Sequence, residues 1–171
     1  MHSHPQPQFM EAALAEAQVA LEAGNLPIGA AIVHQGAVVA LGRNAICTPA
    51  DDTHHAELVA IQSIAAFLAE HKRECVLYTT LEPCMMCLGA IINVGIESIV
   101  IARPDPDVGG LQLLPHAEYY EFKRGRMQLV SGYMQAESQA LLSEYVRRTG
   151  VRLHLGASAA PWRADSPRHG T

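Results

Sequence analysis

The sequence lacks a long apolar segment, since no run reaches the roughly 18–20 apolar residues that a membrane-spanning helix needs. Its first residues also lack the basic-then-apolar order of a secretory signal peptide. A cytoplasmic protein without a membrane partner is therefore expected. Cysteine is scarce, with four residues in the chain. They could form disulfides in an oxidising compartment, but in a reducing one a Cys-x-x-Cys pair more often indicates metal or redox chemistry.

Positive charge is scarce and unevenly distributed. The net charge is −5, which gives no general reason to expect nucleic-acid binding. Residues 1–122 hold 4 basic and 14 acidic residues, a net of −10, whereas residues 123–171 hold 8 basic and 3 acidic residues, a net of +5. Such asymmetry occurs where a basic surface faces a polyanion, and equally where a C-terminal helix is simply solvated. Both interpretations stay open.

The 171 residues suit one domain, which we assign to residues 1–155. A disordered tail is predicted over 156–171, where Gly, Ala, Ser, Pro and Arg dominate. Apolar periodicity predicts helices over 8–23, 55–70, 84–94 and 135–148, a hairpin over 26–43, and strands over 75–81, 98–102 and 127–131. A long loop is predicted over residues 103–116, and a short helix over residues 117–123. The alternation of helices and strands favours an α/β sandwich with helices on both faces of the sheet.

The cysteine pair Cys84 and Cys87 lies at the predicted start of a helix, where residues three apart share one face. The partial positive charge of a helix N-terminus favours the thiolate, which is the form that binds metal. His55 opens another predicted helix, and Glu57 follows two residues later. Zinc in enzymes commonly takes three protein ligands and leaves a fourth position for water. We therefore predict His55, Cys84 and Cys87 as ligands of one zinc ion per subunit, and Glu57 as the acid/base for that water.

Other interpretations of the cysteine pair compete with a catalytic zinc site. A redox pair is disfavoured because no thioredoxin-like pattern surrounds it. A closed structural zinc site needs a fourth ligand, for which Cys47, Cys75, His54 and His71 are candidates. His54 adjoins His55, but only His55 has the His-x-Glu spacing. A non-enzymatic zinc module or an inactive partner subunit is a further hypothesis, against which the intact His-x-Glu argues.

His-x-Glu followed by Pro-Cys-x-x-Cys is the signature of zinc nucleobase deaminases, in which the glutamate transfers protons and is not a metal ligand. On these residues the chain resembles the cytidine/deoxycytidylate deaminase superfamily, in particular its branch of cytosine, guanine and tRNA-adenosine deaminases. The resemblance extends over about 26–102 and more weakly to about 148. Beyond the zinc motif it includes residues 26–30, 42–44, 77–82 and 89–91.

This resemblance implies a three-layer α-β-α sandwich with a five-stranded mixed sheet, and usually a homodimer. It implies that Asn44 hydrogen-bonds the bound base, although Asn44 could instead cap a turn. Backbone amides near Ala56 and Cys84 would help to hold the base or the water. Glu82 either shapes the pocket or caps a turn before Pro83.

The first hypothesis for the substrate is a free nucleobase of the cytosine or guanine type. It rests on the overall acidity and on residues 26–29 and 93–98, which resemble cytosine deaminases. The reaction would replace a ring amino group by oxygen and release ammonia. A triazine or pterin precursor also stays open as the ring that is deaminated.

The alternative is tRNA as a partner, with adenosine-to-inosine deamination. Three features favour it: Glu82, the predicted helix over 135–148, and the basic residues of the C-terminal region. These basic residues are Lys123, Arg124, Arg126, Arg147, Arg148 and Arg152. Residues 103–110 speak against it, because they lack the Lys-Thr-Gly-Ala run of that branch.

Overall fold

The structure of the protein, a computed structural model, describes residues 4–47, 50–112, 127–151 and 153. The helices are α1 (Pro7–Glu22), α2 (Ala56–Ser63), α3 (Ala65–His71), α4 (Met85–Val94) and α5 (Gln135–Thr149). The strands are β1 (Gly29–His34), β2 (Ala37–Arg43), β3 (Cys75–Leu81), β4 (Ser98–Arg103) and β5 (Gln128–Ser131), and a turn of 3-10 helix spans Lys72–Glu74. Within these described ranges, no helix combines the length and the apolar character needed to cross a membrane.

The strands form one mixed sheet in the order β2-β1-β3-β4-β5. β1 pairs antiparallel with β2 and with β3, whereas β3 with β4 and β4 with β5 are parallel. The turn between β1 and β2 has positive φ at Gln35 (49°) and Gly36 (80°), the backbone that a two-residue hairpin turn requires. Since β3 and β4 are parallel, their carboxyl ends lie at the same edge of the sheet. The predicted five-stranded mixed sheet is confirmed.

Successive strand residues face two separate apolar layers, as a period of two requires. On one face, side chains such as Leu77 and Ile101 pack with helices α2, α3 and α4. On the other face, Tyr78 and Val100 pack with Met10 and its neighbours on α1. Helix α5 contacts α1, β3 and β4. The predicted sandwich with helices on both faces is confirmed.

Two glycines allow helices to approach the sheet at backbone distance. A Cβ atom added at Gly29 would collide with the Ala13 carbonyl oxygen of α1, and one at Gly42 with the Ala56 carbonyl oxygen of α2. In both places the obstructing atom is backbone, which cannot rotate away as a side chain can. Glycine at these two positions therefore allows α1 and α2 to pack closely against the sheet.

The sequence predicts one helix over 55–70, and this prediction is wrong because the helix is interrupted at Ile64. The φ of −129° and ψ of 30° at Ile64 lie outside the helical range. The Ser63 hydroxyl donates to the Ala60 carbonyl oxygen at 2.8 Å, which is the acceptor that an unbroken helix would offer to Ile64. Such local side-chain bonds compete with helical ones. The apolar stripe continues across the break, so periodicity alone could not reveal it.

The other boundaries agree with the sequence-based predictions to within one residue for the helices over 8–23, 84–94 and 135–148 and for the strands over 75–81, 98–102 and 127–131. The predicted hairpin over 26–43 is confirmed as β1 and β2. The loop after β4 is described as far as residue 112. The predicted short helix over 117–123 and the predicted tail over 156–171 lie outside the described residues.

We expect Gly42→Ala to lower the free energy of unfolding by roughly 2–3 kcal/mol, because the added methyl group forces α2 away from β2. Leu41→Ala is the matched control, since this neighbouring side chain is exposed and should change stability by no more than about 0.5 kcal/mol. Urea denaturation measures both values. Equal losses for the two variants would contradict the steric role of Gly42.

Candidate metal centre and its cavity

Three side chains meet where the first turns of α2 and α4 face each other. His55 is the N-cap residue of α2, Cys84 is that of α4, and Cys87 lies in the first turn of α4. Nδ1 of His55 lies 3.6 Å from Sγ of Cys84 and 3.5 Å from Sγ of Cys87. All three atoms lie within 4.8 Å of one another. The structure therefore brings together the three residues that the sequence predicts as metal ligands.

The electrostatics of the two thiols favour a thiolate at the helix start. The Cys87 thiol donates a hydrogen bond to Cys84 and lowers the pKa of Cys84 to about 5, and the backbone amides of Cys87 and Met86 act in the same direction. The same hydrogen bond, together with burial, raises the pKa of Cys87. The N-cap position explains the effect, because the first amides of a helix have no acceptor inside the helix. The start of α4 thus favours the thiolate at Cys84.

The four candidates for a further ligand lie elsewhere. Cys47 is exposed, and His54 faces a neighbouring aspartate at 3.7 Å. Cys75 begins β3, at the opposite end of that strand from Cys84, and burial raises its pKa to about 11. His71 belongs to a separate group. Among the described residues, none of the four joins the three ligands, so the site keeps an open side.

The donor set fits zinc. Two thiol sulfurs and one imidazole nitrogen are the ligand types that zinc prefers, and three protein ligands are typical of catalytic zinc sites, whereas structural sites are closed by four. His55, Cys84 and Cys87 would hold the ion. This donor set fits one zinc ion per subunit.

Glu57 lies in the first turn of α2 with its side chain buried, at 3% exposure. Burial raises the pKa of this carboxyl group above its ordinary value. Oγ1 of Thr79 lies 3.2 Å from Oε1 of Glu57 and 3.0 Å from the carbonyl oxygen of Leu81. Thr79 was not among the predicted site residues. The sequence contains one indication of this role. Residues two apart in a strand lie on the same face, so Thr79 shares with Leu77 the face of β3 that α2 covers.

A cavity of about 350 Å³ opens beside the three ligands at the carboxyl ends of β3 and β4. Its volume is at the small end of the range for ligand pockets, about 300–1,000 Å³. The lining includes two of the ligands together with Glu57 and Asn44, and its remaining described members are Leu26, Ile28, Ile46, Leu81, Glu82, Arg103, Asp105, Asp107, Val108, Leu142 and Leu153.

Of the predicted base-binding residues, Asn44 and Cys84 line this cavity, and Ala56 lies in the chain between the lining residues His55 and Glu57. Asn44 is buried, and its Oδ1 accepts a hydrogen bond from the Ile46 amide at 3.3 Å. Asn44 therefore caps a turn and also lines the cavity, and its NH2 group has no protein acceptor among the described residues. Ala56 and Cys84 lie at the starts of α2 and α4, where backbone amides are not used by the helix.

Glu82 joins the loop after β4 to the start of α4. Its Oε2 accepts from the Asp105 amide at 3.0 Å and its Oε1 from the Leu111 amide at 3.1 Å. The Gly110 amide donates to the Pro83 carbonyl oxygen at 2.8 Å. Gly109 must be glycine here, because a Cβ atom would overlap the Glu82 carboxylate. Of the two roles considered for Glu82, the structure favours shaping the cavity.

Comparison with known proteins gives a match to the cytidine and deoxycytidylate deaminase zinc-binding region over residues 3–103. The chain is similar to a tRNA-specific adenosine deaminase of Aquifex aeolicus, with 32% identity over 150 residues, 82% of this chain and 93% of that protein. It is similar in structure to a tRNA deaminase studied for A-to-I editing at the wobble position of transfer RNA. That match has a TM-score of 0.71 and 33% identity, over 80% of this chain and 100% of the other.

The chain is also similar to the guanine deaminase of Bacillus subtilis. This match has 37% identity and a TM-score of 0.53, and it covers 60% of this chain and 66% of the other. The matched region of the family, residues 3–103, includes all three candidate ligands and Glu57.

We predict that Cys87→Ser lowers the zinc content from about one ion per chain to almost none, because zinc prefers thiolate to hydroxyl ligands. Cys75→Ser is the matched control, since it replaces the other buried cysteine and should keep its zinc. Atomic absorption on chelator-washed protein measures the metal. Zinc retained by folded Cys87→Ser protein, or lost from Cys75→Ser, would refute the assignment.

Proposed function

The chain belongs to the cytidine and deoxycytidylate deaminase family, a zinc deaminase family, and from this premise we infer that it deaminates adenosine in transfer RNA to inosine. The observation that carries the proposal is the likeness to a tRNA-specific adenosine deaminase, 93% of whose length this chain spans. A second likeness in structure supports it, with a TM-score of 0.71 to a tRNA deaminase. The comparisons support this alternative better than the free-base hypothesis.

The chemistry assigns each group of the site a task. When bound, zinc supplies Lewis acidity, which lowers the pKa of a water ligand towards neutrality. The Glu57 carboxylate removes a proton from the nucleophilic water and delivers it to the ring nitrogen beside the amino-bearing carbon. The water oxygen bonds to that carbon, and Glu57 then transfers the second proton of the water to the amino group, so that the carbon–nitrogen bond breaks, ammonia leaves and oxygen takes its place. The raised pKa of Glu57 suits a group that must both accept and donate protons.

Neighbouring residues would hold Glu57 and the base. Thr79, at 3.2 Å, limits the rotation of the Glu57 carboxylate. The NH2 group of Asn44 is available to an acceptor atom of the base, while its Oδ1 is fixed by the Ile46 amide. Backbone amides near Ala56 and Cys84, at the starts of α2 and α4, would be further donors to the base or the water.

The basic C-terminal residues give the RNA proposal less support than their charge suggests. Arg147 pairs with Glu144 at 2.6 Å, and Arg148 pairs with Glu144 at 2.7 Å and with Glu22 at 3.2 Å. These ion pairs at the surface reduce the charge that is free for a polyanion. Lys123, Arg124, Arg126 and Arg152 lie outside the described residues.

Deamination of a free purine base is the second candidate. The likeness to a guanine deaminase, at 37% identity, favours it. A cavity of about 350 Å³ is compatible with a single base in both cases. In a tRNA the nucleotide would have to leave its stack to reach the buried Glu57. A homodimer and a cytoplasmic location remain expectations under either function.

We expect Glu57→Gln to keep its zinc but to lower deamination by roughly 100- to 10,000-fold, because the amide cannot accept the proton of water. Glu97→Gln is the matched control, since Glu97 pairs with Arg73 beyond the amino end of β4, away from the cavity. Turnover of zinc-loaded Glu57→Gln at the wild-type rate would exclude the proposed role.

Four compounds are tested as substrates: guanine, cytosine, adenosine and an anticodon stem-loop with adenosine at the wobble position. Ammonia release and inosine formation are measured for the zinc-loaded wild-type protein. The proposal predicts that the stem-loop is converted with the highest kcat/KM. Conversion of guanine without conversion of the stem-loop would favour the second candidate.

A further inference from the structure

Arg103 ends β4 inside the candidate active site. Its side chain is buried, at 4% exposure, and it lines the cavity beside Glu57 and Cys84. Arginine is rarely buried in this way unless it is paired, because an unpaired charge is costly away from water. Among the described residues that line the cavity, Arg103 is the one Lys or Arg.

Among the described residues, Gln139 alone accepts a hydrogen bond from the side chain of Arg103. Nε of Arg103 donates to Oε1 of Gln139 at 2.6 Å. Nε2 of Gln139 donates in turn to the Ser143 hydroxyl at 3.0 Å, which keeps the oxygen of the Gln139 amide directed at Arg103. A guanidinium group has five N–H donors in one plane. Within the described residues, the two terminal nitrogens of Arg103 have no protein acceptor.

The other described arginines differ from Arg103 in this respect. Arg43, Arg73, Arg147 and Arg148 are each in an ion pair with a glutamate. No described aspartate or glutamate pairs with Arg103, although acidic residues line the same cavity. Among the described residues, the arginines at the surface are paired with glutamates, whereas Arg103 in the cavity has no such partner.

The nearby acidic side chains are engaged with the backbone of their own loop. The Glu82 carboxylate accepts from the amides of Asp105 and Leu111. Oδ1 of Asp105 accepts from the amides of Asp107 and Val108, at 3.0 and 3.2 Å. These bonds direct Glu82 and Oδ1 of Asp105 towards the loop, and none of the described carboxylates forms an ion pair with Arg103.

We propose that Arg103 binds a phosphate group of a nucleotide substrate through its terminal N–H groups, while the base of that nucleotide lies beside Glu57. A phosphate both compensates the buried charge and matches the planar fork of the guanidinium group. A neutral base would leave the charge uncompensated. The apolar part of the lining, including Leu81 and Leu142, strengthens such a pair because it lowers the local dielectric constant.

This proposal rests on the proposed function in taking the substrate to be a nucleotide, and it adds that the phosphate is recognised inside the cavity. The phosphate could belong to an RNA strand or to a free mononucleotide. Gln139 is a positioning residue in this arrangement, because it fixes the plane of the guanidinium group without reaching the ligand itself.

The test uses zinc-loaded protein with Glu57→Gln, so that ligands bind without turnover. Dissociation constants are measured by calorimetry for adenosine, for its 5′- and 3′-monophosphates, and for the anticodon stem-loop, with and without Arg103→Gln. We expect Arg103→Gln to weaken binding of at least one phosphate-bearing ligand by about 10- to 100-fold. Binding of adenosine should change by less than about twofold, since it has no phosphate.

Arg73→Gln is the matched control. It removes the same charge from an exposed residue that precedes β3, at the other end of the sheet from the cavity, and should leave all four dissociation constants unchanged. Arg103→Lys keeps the charge but lacks the fork, and should weaken phosphate binding less than Arg103→Gln does. Thermal unfolding and zinc content verify that each variant is folded. If Arg103→Gln does not fold, the comparison is made with Arg103→Lys and Gln139→Ala.

Comparison of the four ligands distinguishes the possible results. Loss with the monophosphates supports the proposal with a free nucleotide as the source of the phosphate, and loss with the stem-loop alone supports it with an RNA strand. Equal weakening of adenosine and the phosphate-bearing ligands would overturn it and indicate a contact with the base. Unchanged binding of all ligands would also overturn it. Failure of the proposed function appears separately, as wild-type protein that forms no inosine in the stem-loop.

Discussion

The meeting of two helix N-termini at one edge of the sheet is the constraint on which the rest of the site depends. Gly42 lets α2 lie directly on β2, and the turn at Pro83 sends α4 back from β3 towards the same point. His55 and Cys84 are both N-cap residues, so their side chains are held by backbone that cannot move independently of the sheet. The unused amides and the partial positive charge of both helices then favour negative groups where they meet.

The sequence predicts this centre well because each of its parts is local. The spacing of His55 to Glu57 and of Cys84 to Cys87 lies within a single helical turn, and the strands that carry these turns have strong apolar patterns. Thr79, which contacts Glu57 only in the folded structure, was not predicted. Thr79 is one of two adjacent threonines in β3, and only the packing of α2 over the sheet selects it as the neighbour of Glu57.

The break at Ile64 and the contacts that hold the loop after β4 could not be predicted for a related reason. Apolar periodicity reports which face is buried, and the buried face is the same on both sides of the break. The loop is held by Glu82, which follows β3 and accepts hydrogen bonds from loop amides more than twenty residues later in the chain. The sequence does not reveal that the Glu82 carboxylate accepts from such distant amides, because a glutamate before a proline is equally compatible with a turn cap.

Reaction and substrate are determined by different parts of the fold. The groups that would activate water come from α2, β3 and α4, which share one apolar layer, so a substitution there changes zinc binding or proton transfer. The groups that would face the remainder of a substrate come from the end of β4, the following loop and α5. Arg103 belongs to this second set. Its Nε donates to Gln139 of α5 and not to a residue of α2, β3 or α4. Relatives with one reaction can therefore differ in substrate without any change at the metal centre.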